Sequence, residues 1–169
     1  MYKYETHLHT KEGSACSSAP AADMARAHKA AGYDGIFVTD HFFNANTAVP
    51  RDLPWEERVD RYFLGYEHAK EVGDEIGLKV WFGCEFTVYN ADFLIYSMEK
   101  DWMKANEELL MHTDERVLFS KLRNELDCFI VHAHPFRHAS YIHHISLYPY
   151  DVDAVETINA SHDPRKLYD

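Results

Sequence analysis

Short apolar runs alternate with stretches of helical periodicity along the whole chain. Tyr2–His7 reads as a first strand. Pro20 stands where a first-turn proline is tolerated, and Ala21–Ala31 follows as an Ala-rich helix ending at Gly32. Gly35–Thr39 is a short apolar run bounded by Gly and Asp, which predicts a buried second strand. Residues 42–54 form a loop rich in Asn and Pro. From Trp55 to Ile76, the residues Val59, Tyr62, Phe63, Tyr66, Ala69 and Ile76 recur at helical spacing, and Gly77 marks the exit. Gly65 and Gly73 inside that helix each cost about 1 kcal/mol against Ala and weaken the case for an unbroken helix. Lys79–Phe82, Phe93–Ser97, Phe129–His132 and Ala154–Ile158 are further strands, with helical patterns over Asp101–Leu110 and Asp114–Leu126. Apolar strands alternating with helices predict an α/β fold with a parallel sheet or barrel. Without internal repeat or linker, residues 1–169 read as one domain.

Composition narrows the classes. A 169-residue chain that is 46% hydrophobic and 14% aromatic can bury a core, which excludes global disorder. The formal charge of -11 argues against an extended nucleic-acid surface. Two or three divalent cations would add about +4 to +6 locally, so an anionic substrate at a metal centre stays compatible with it. Cys16, Cys84 and Cys128 are too few and too scattered for a disulfide framework, which favours a reducing compartment. No cationic segment leads into an apolar run at the N-terminus, and no apolar stretch approaches membrane-spanning length. The expectation is a cytoplasmic domain without membrane contact.

Candidate chemistry collects at the strand ends. His7 and His9, two apart on an extended segment, point to one face and can aim both imidazoles at one ion. Thr39-Asp40-His41, Gly83-Cys84-Glu85 and His132-Ala133-His134-Pro135 each follow an apolar strand in the same way. Ligands in α/β sheets and barrels gather at the carboxyl ends of strands.

These motifs, His7-Leu8-His9-Thr10, Thr39-Asp40-His41, Gly83-Cys84-Glu85 and His134-Pro135-Phe136-Arg137, resemble in kind and order those of the PHP (polymerase and histidinol phosphatase) family of metal-dependent phosphoesterases. The resemblance covers Tyr2 to about Asn159. It implies a distorted (β/α)7-type barrel holding two or three divalent metals, commonly zinc, manganese or iron. It further implies that His7 and His9 bind a first metal, that Glu85 bridges first and second, that His134 binds the second and His41 the third. Family members often carry an acidic residue or histidine in the loop after the first motif, for which Glu12 is the candidate, with Ser14 and Cys16 nearby. Asp92, before Phe93-Leu94-Ile95-Tyr96, takes roughly the place of a second-metal histidine. The family's closing strand carries Asp-x-His, and after Asn159 only ten residues follow, including His162 and Asp163. The expectation is therefore a barrel apparently lacking its last strand, in a C-terminally incomplete domain whose open edge favours self-association.

The chemistry implied is attack of a metal-activated hydroxide on phosphorus, with a small phosphorylated metabolite or nucleotide as substrate. Arg137 is assigned to the phosphate oxygens, because guanidinium matches them bidentately, and His162 to leaving-group protonation. The bland readings compete. His132 reads as packing, and His28, His68 and His112 as surface residues on helices. His138, His143 and His144 read as solvated loop residues. Cys84 reads as core, and metal contact is the lesser reading of Cys16. Two rival functions remain, an amidohydrolase-like hydrolysis at the same metals and a non-catalytic metal-stabilised module. Arg137 favours phosphate over the first, and the missing Asp-x-His motif speaks for the second.

Overall fold

The computed structural model describes residues 1–88, 91–112, 114–137 and 145–159. Among these, six strands lie side by side in chain order: β1 (Tyr4–Leu8), β2 (Gly35–Val38), β3 (Lys79–Val88), β4 (Ala91–Tyr96), β5 (Phe129–Ala133) and β6 (Ala154–Val155). The helices are α1 (Ala21–Ala30), α2 (Trp55–Ile76), α3 (Lys100–Ala105), α4 (Glu107–His112) and α5 (Glu115–Leu126). β1, β2 and β3 pair parallel, and so do β5 and β6. β4 runs antiparallel to both of its neighbours. The expected parallel sheet is thus corrected at its centre, where β3 continues past Phe82 to Val88 and β4 pairs antiparallel with it from Val88↔Ala91 to Gly83↔Tyr96. The helical pattern over Asp101–Leu110 is likewise two helices, α3 and α4, interrupted at Asn106.

The sheet curls into a half-barrel. β1 and β6 occupy opposite ends of the strand order, yet His7 near the end of β1 lies 3.1 Å from Glu156 just past β6. Side chains, not ladder hydrogen bonds, bridge the gap between these strands among the described residues. This is the expected α/β barrel architecture short of full closure.

Strand alternation sorts the two faces. On the convex face, Leu8, Ile36, Val38 and Val80 pack with Ala25, Ala69 and Val72 of α1 and α2 in one cluster. A larger cluster joins Phe86, Phe93, Ile95 and Ile130 to Tyr62 and Phe63 of α2 and to Leu118, Phe119 and Leu122 of α5. Each such fully buried side chain contributes roughly 1.5–3 kcal/mol. The concave face carries Phe37 stacked on Trp81, Tyr96 edge-on to Phe37, and above them Glu85. Trp81 and Phe129 stay 37% and 50% exposed there, as an incompletely closed barrel requires.

α2 runs unbroken through both glycines, and packing explains why. A Cβ at Gly65 would overlap Thr10 Oγ1 and stand 2.8 Å from Asp40 Oδ2, and one at Gly73 would stand 2.7 Å from the Leu78 carbonyl oxygen. The missing side chains let the helix press against the strand ends, and this offsets their poor helix propensity. Gly65→Ala should therefore destabilise the fold by about 1–3 kcal/mol, the usual cost of overpacking. Propensity alone would give a gain of about 1 kcal/mol. Urea unfolding decides by sign.

Candidate metal centre

Each strand end delivers one part of the cluster. Leu8 is committed to the convex core, so alternation turns His7 and His9 inward together, their Nε2 atoms 3.0 Å apart. The β2–β3 ladder continues past β2, with Glu85 N–H donating to the Asp40 carbonyl and Phe42 N–H to the Glu85 carbonyl, each at 2.9 Å. His41 and Glu85 therefore sit on adjacent strands and face the same side. At the end of β5, alternation alone would send His134 to the same face as His132. Instead the backbone at His134 takes φ 28°, a left-handed conformation unusual outside glycine, and the imidazole comes within 3.0 Å of Glu85. His132 stays on the core side, stacked on Phe93, and burial lowers its pKa. That local turn is what separates a packing histidine from a site histidine two residues away.

Glu85 is the hub. Its side chain is 2% exposed, and four imidazoles approach it: His7 at 3.5 Å, His9 at 3.2 Å, His41 at 2.8 Å and His134 at 3.0 Å. Burial by itself would raise its carboxyl, but these imidazoles, His134 foremost, outweigh burial and hold it far below the usual carboxylate range. Oε1 pairs with His134, whereas Oε2 and the Nδ1 of His41 approach without hydrogen-bond alignment. Two buried polar atoms facing each other in that way suit a shared cation better than a shared proton. Among the described residues, four groups of donors could hold one: His7, His9 and Glu85; Glu85, Asp92 and His134; His7, His134 and Glu156; and His9, Cys16 and His41. Imidazoles and carboxylates are the donor set of borderline divalent metals, so the residues fit such an ion.

Ser14 orients part of the set. Its buried hydroxyl lies 2.7 Å from Asp40 Oδ1, 2.9 Å from the His41 backbone nitrogen and 3.0 Å from His9 Nδ1. Asp40 also accepts from the backbone N–H and hydroxyl of Thr10, both at 2.6 Å. Asp40 has no proton to give as a carboxylate, so Ser14 donates to it and accepts the other two. His9 then carries its proton on Nδ1, and its Nε2 lone pair points at His7 and Glu85. Such an outer hydrogen bond fixes both the tautomer and the ring orientation of a metal-binding histidine.

The remaining sequence expectations divide. Asp92 lies 3.8 Å from His134 and within the second donor group. Arg137 lines the same cleft, one turn beyond His134. Glu12 does not come to the cluster. Both its oxygens take the Ala21 N–H, at 3.0 and 3.2 Å, and it pairs with His68 at 3.1 Å. The reason is local: α1 starts after Pro20 with no capping side chain of its own, and the carboxylate answers the buried Ala21 N–H and the positive end of the helix. His162 and Asp163, like His138, His143 and His144, lie outside the described residues. Sequence reasoning missed Glu156. It accepts from the His134 N–H at 2.8 Å, stands 3.1 Å from His7 Nδ1, and together with Glu85 raises His7 to about 10 although burial opposes this. The signal was available, since Glu156 directly follows β6 as the other groups follow their strands.

Comparison with known proteins agrees with this picture. The PHP domain profile matches residues 5–159. A two-domain protein from Bacteroides vulgatus ATCC 8482, containing a predicted PHP-like metal-dependent phosphoesterase, superposes with TM-score 0.64 at 15% identity, over 88% of this chain and 39% of that one. A candidate metal-dependent phosphoesterase from Bifidobacterium adolescentis ATCC 15703 superposes with TM-score 0.59 at 12% identity, over 98% of this chain and 80% of that one. At these identities the likeness is one of fold. No curated protein matches the chain.

Glu156 and Glu12 predict opposite outcomes. Glu156→Gln should lower bound divalent metal, read by elemental analysis after dialysis against limiting zinc. Glu12→Gln should leave the metal content unchanged and cost about 0.5–2 kcal/mol of stability, the range for a lost helix cap. Equal metal loss in both variants would contradict the assignment.

Proposed function

The chain belongs to the PHP domain family, and on that footing we propose that it is a metal-dependent hydrolase of phosphate esters. The observation that carries this reading is the convergence of His7, His9, His41, Glu85 and His134 in one cleft with Arg137. The cleft measures about 930 Å³, near the upper end of the roughly 300–1,000 Å³ typical of small-molecule sites. A small phosphorylated molecule fits it better than a nucleic-acid duplex, which the charge of -11 would also repel.

His7, His9, Glu85, Asp92 and His134 would hold two divalent ions, zinc, manganese or iron, with Glu156 completing the ring and Glu85 shared between them. When bound, such ions supply Lewis acidity and lower the pKa of a contacting water toward neutrality. The protein's own part is placement. Glu85, Asp92 and Glu156 alone would repel an anionic substrate. Arg137 is the one Arg or Lys among the described residues lining the cleft, and a guanidinium can bind two phosphate oxygens and stabilise charge developing on them. Leaving-group protonation is assigned to His162 on sequence grounds alone.

A panel of phosphomonoesters and phosphodiesters, assayed with added manganese or zinc, tests this. Turnover should appear with at least one phosphorylated class and vanish on chelation. Arg137→Ala should then lower kcat/KM by the equivalent of about 1.5–3 kcal/mol, the range for charge-assisted hydrogen bonds. Hydrolysis confined to amides or carboxylic esters, or an unchanged kcat/KM in Arg137→Ala, would overturn the phosphate reading.

A further inference from the structure

The two donor groups that share Glu85 differ in chemistry, and β3 and β4 build the difference in. His7, His9 and Glu85 offer two imidazoles and one carboxylate, whereas Glu85, Asp92 and His134 offer one imidazole and two carboxylates. Asp92 stands roughly where the sequence resemblance implies a histidine. The ladder brings it to the centre: Glu85 pairs with Leu94 and Thr87 with Asp92, so Glu85, Thr87 and Asp92 share one face. Glu85 spans both groups. Its Oε1 lies 3.0 Å from His134, and its Oε2, buried and without an aligned hydrogen bond, lies 3.2 Å from His9.

Asp92 is not free to turn. The Thr87 hydroxyl donates to its Oδ1 at 2.6 Å, and the Thr87 carbonyl accepts from the Asn44 side chain, also at 2.6 Å. The other oxygen, Oδ2, faces His134 Nε2 at 3.8 Å. That separation is too wide for a hydrogen bond, yet both atoms can reach one ion at metal–ligand lengths of about 2.0–2.2 Å.

We infer that the two positions discriminate between metals: zinc settles on His7, His9 and Glu85, while the position of Glu85, Asp92 and His134 is tuned to manganese, with Thr87 the positioning residue that keeps Asp92 to one ligating oxygen. This rests on the same reading of the cleft as a metal centre. Zinc outbinds manganese at most sites, so the donors set only the margin. Carboxylates suit manganese and imidazoles suit zinc, which makes that margin narrow at one position and wide at the other.

Electron paramagnetic resonance gives a readout independent of turnover, because binding broadens the signal of free Mn²⁺. The full chain, stripped of metal and reloaded with a single zinc equivalent, should still take up manganese. Thr87→Val should weaken that manganese roughly 10–100-fold, the usual cost of losing a hydrogen bond that orients a metal ligand, and Thr87→Ser should restore it. Asp92→His should lower the zinc concentration that displaces half of the manganese by about tenfold or more. The first zinc equivalent should be held unchanged in every variant, and circular dichroism checks that each is folded. Unchanged manganese affinity in Thr87→Val would overturn the positioning role. Unchanged displacement in Asp92→His, or a zinc-loaded wild-type chain that takes no manganese, would overturn the discrimination and leave the histidine–carboxylate centre standing. No bound metal in any form would overturn the centre as well.

Discussion

A single buried carboxylate organises this protein. Glu85 sits at the middle of the sheet with its side chain removed from water, a position that costs several kcal/mol unless positive charge or donors surround it. Four imidazoles from three other strand ends supply that surrounding. They can do so only because the sheet curls until His7 of β1 meets Glu156 beyond β6. The half-barrel and the cluster are therefore one requirement seen at two scales. Flatten the sheet and the carboxylate is left unpaired; remove the carboxylate and four histidines face one another without a counter-charge.

Support for that arrangement extends outward from Glu85. Asp40 fastens the first loop through Thr10 and Ser14, and Ser14 in turn sets the proton of His9. Tyr62 of α2 donates to the Asp40 carbonyl, and Gly65 on the same helix allows the close approach. A helix that looks like scaffolding thus bears directly on the loop that orients His9. The antiparallel β3–β4 hairpin has a comparable role, since it carries Glu85 and Asp92 on the same face with a cross-strand link from Thr87 to Asp92 at 2.6 Å.

Much of this was legible in the sequence. The strand starts at Gly35, Lys79 and Phe129 and the whole of α2 follow from apolar periodicity, and the inward pair His7 and His9 follows from the two-residue repeat of a strand. The hairpin was hidden because a buried antiparallel strand and a buried parallel one share the same apolar pattern. Glu12 misled because a carboxylate in a loop before a helix suits both a metal and a helix N-terminus, and only the distance to Ala21 decides. His134 and His132 share a parity that the positive φ at His134 breaks, and no residue type signals that turn. Glu156 was overlooked because the sequence reads as one strand over Ala154–Ile158, which places it inside the strand, whereas β6 stops at Val155 and Glu156 is the first residue past its end.

The central claim, that Glu85 gathers these strand ends around divalent cations, is tested most directly by counting bound metal. Native mass spectrometry of the chain loaded with zinc or manganese and then desalted should show at least two ions per chain, and Glu85→Gln should retain fewer than one while remaining folded. A wild-type chain that binds no divalent ion under those conditions, or a Glu85→Gln variant with undiminished occupancy, would contradict it.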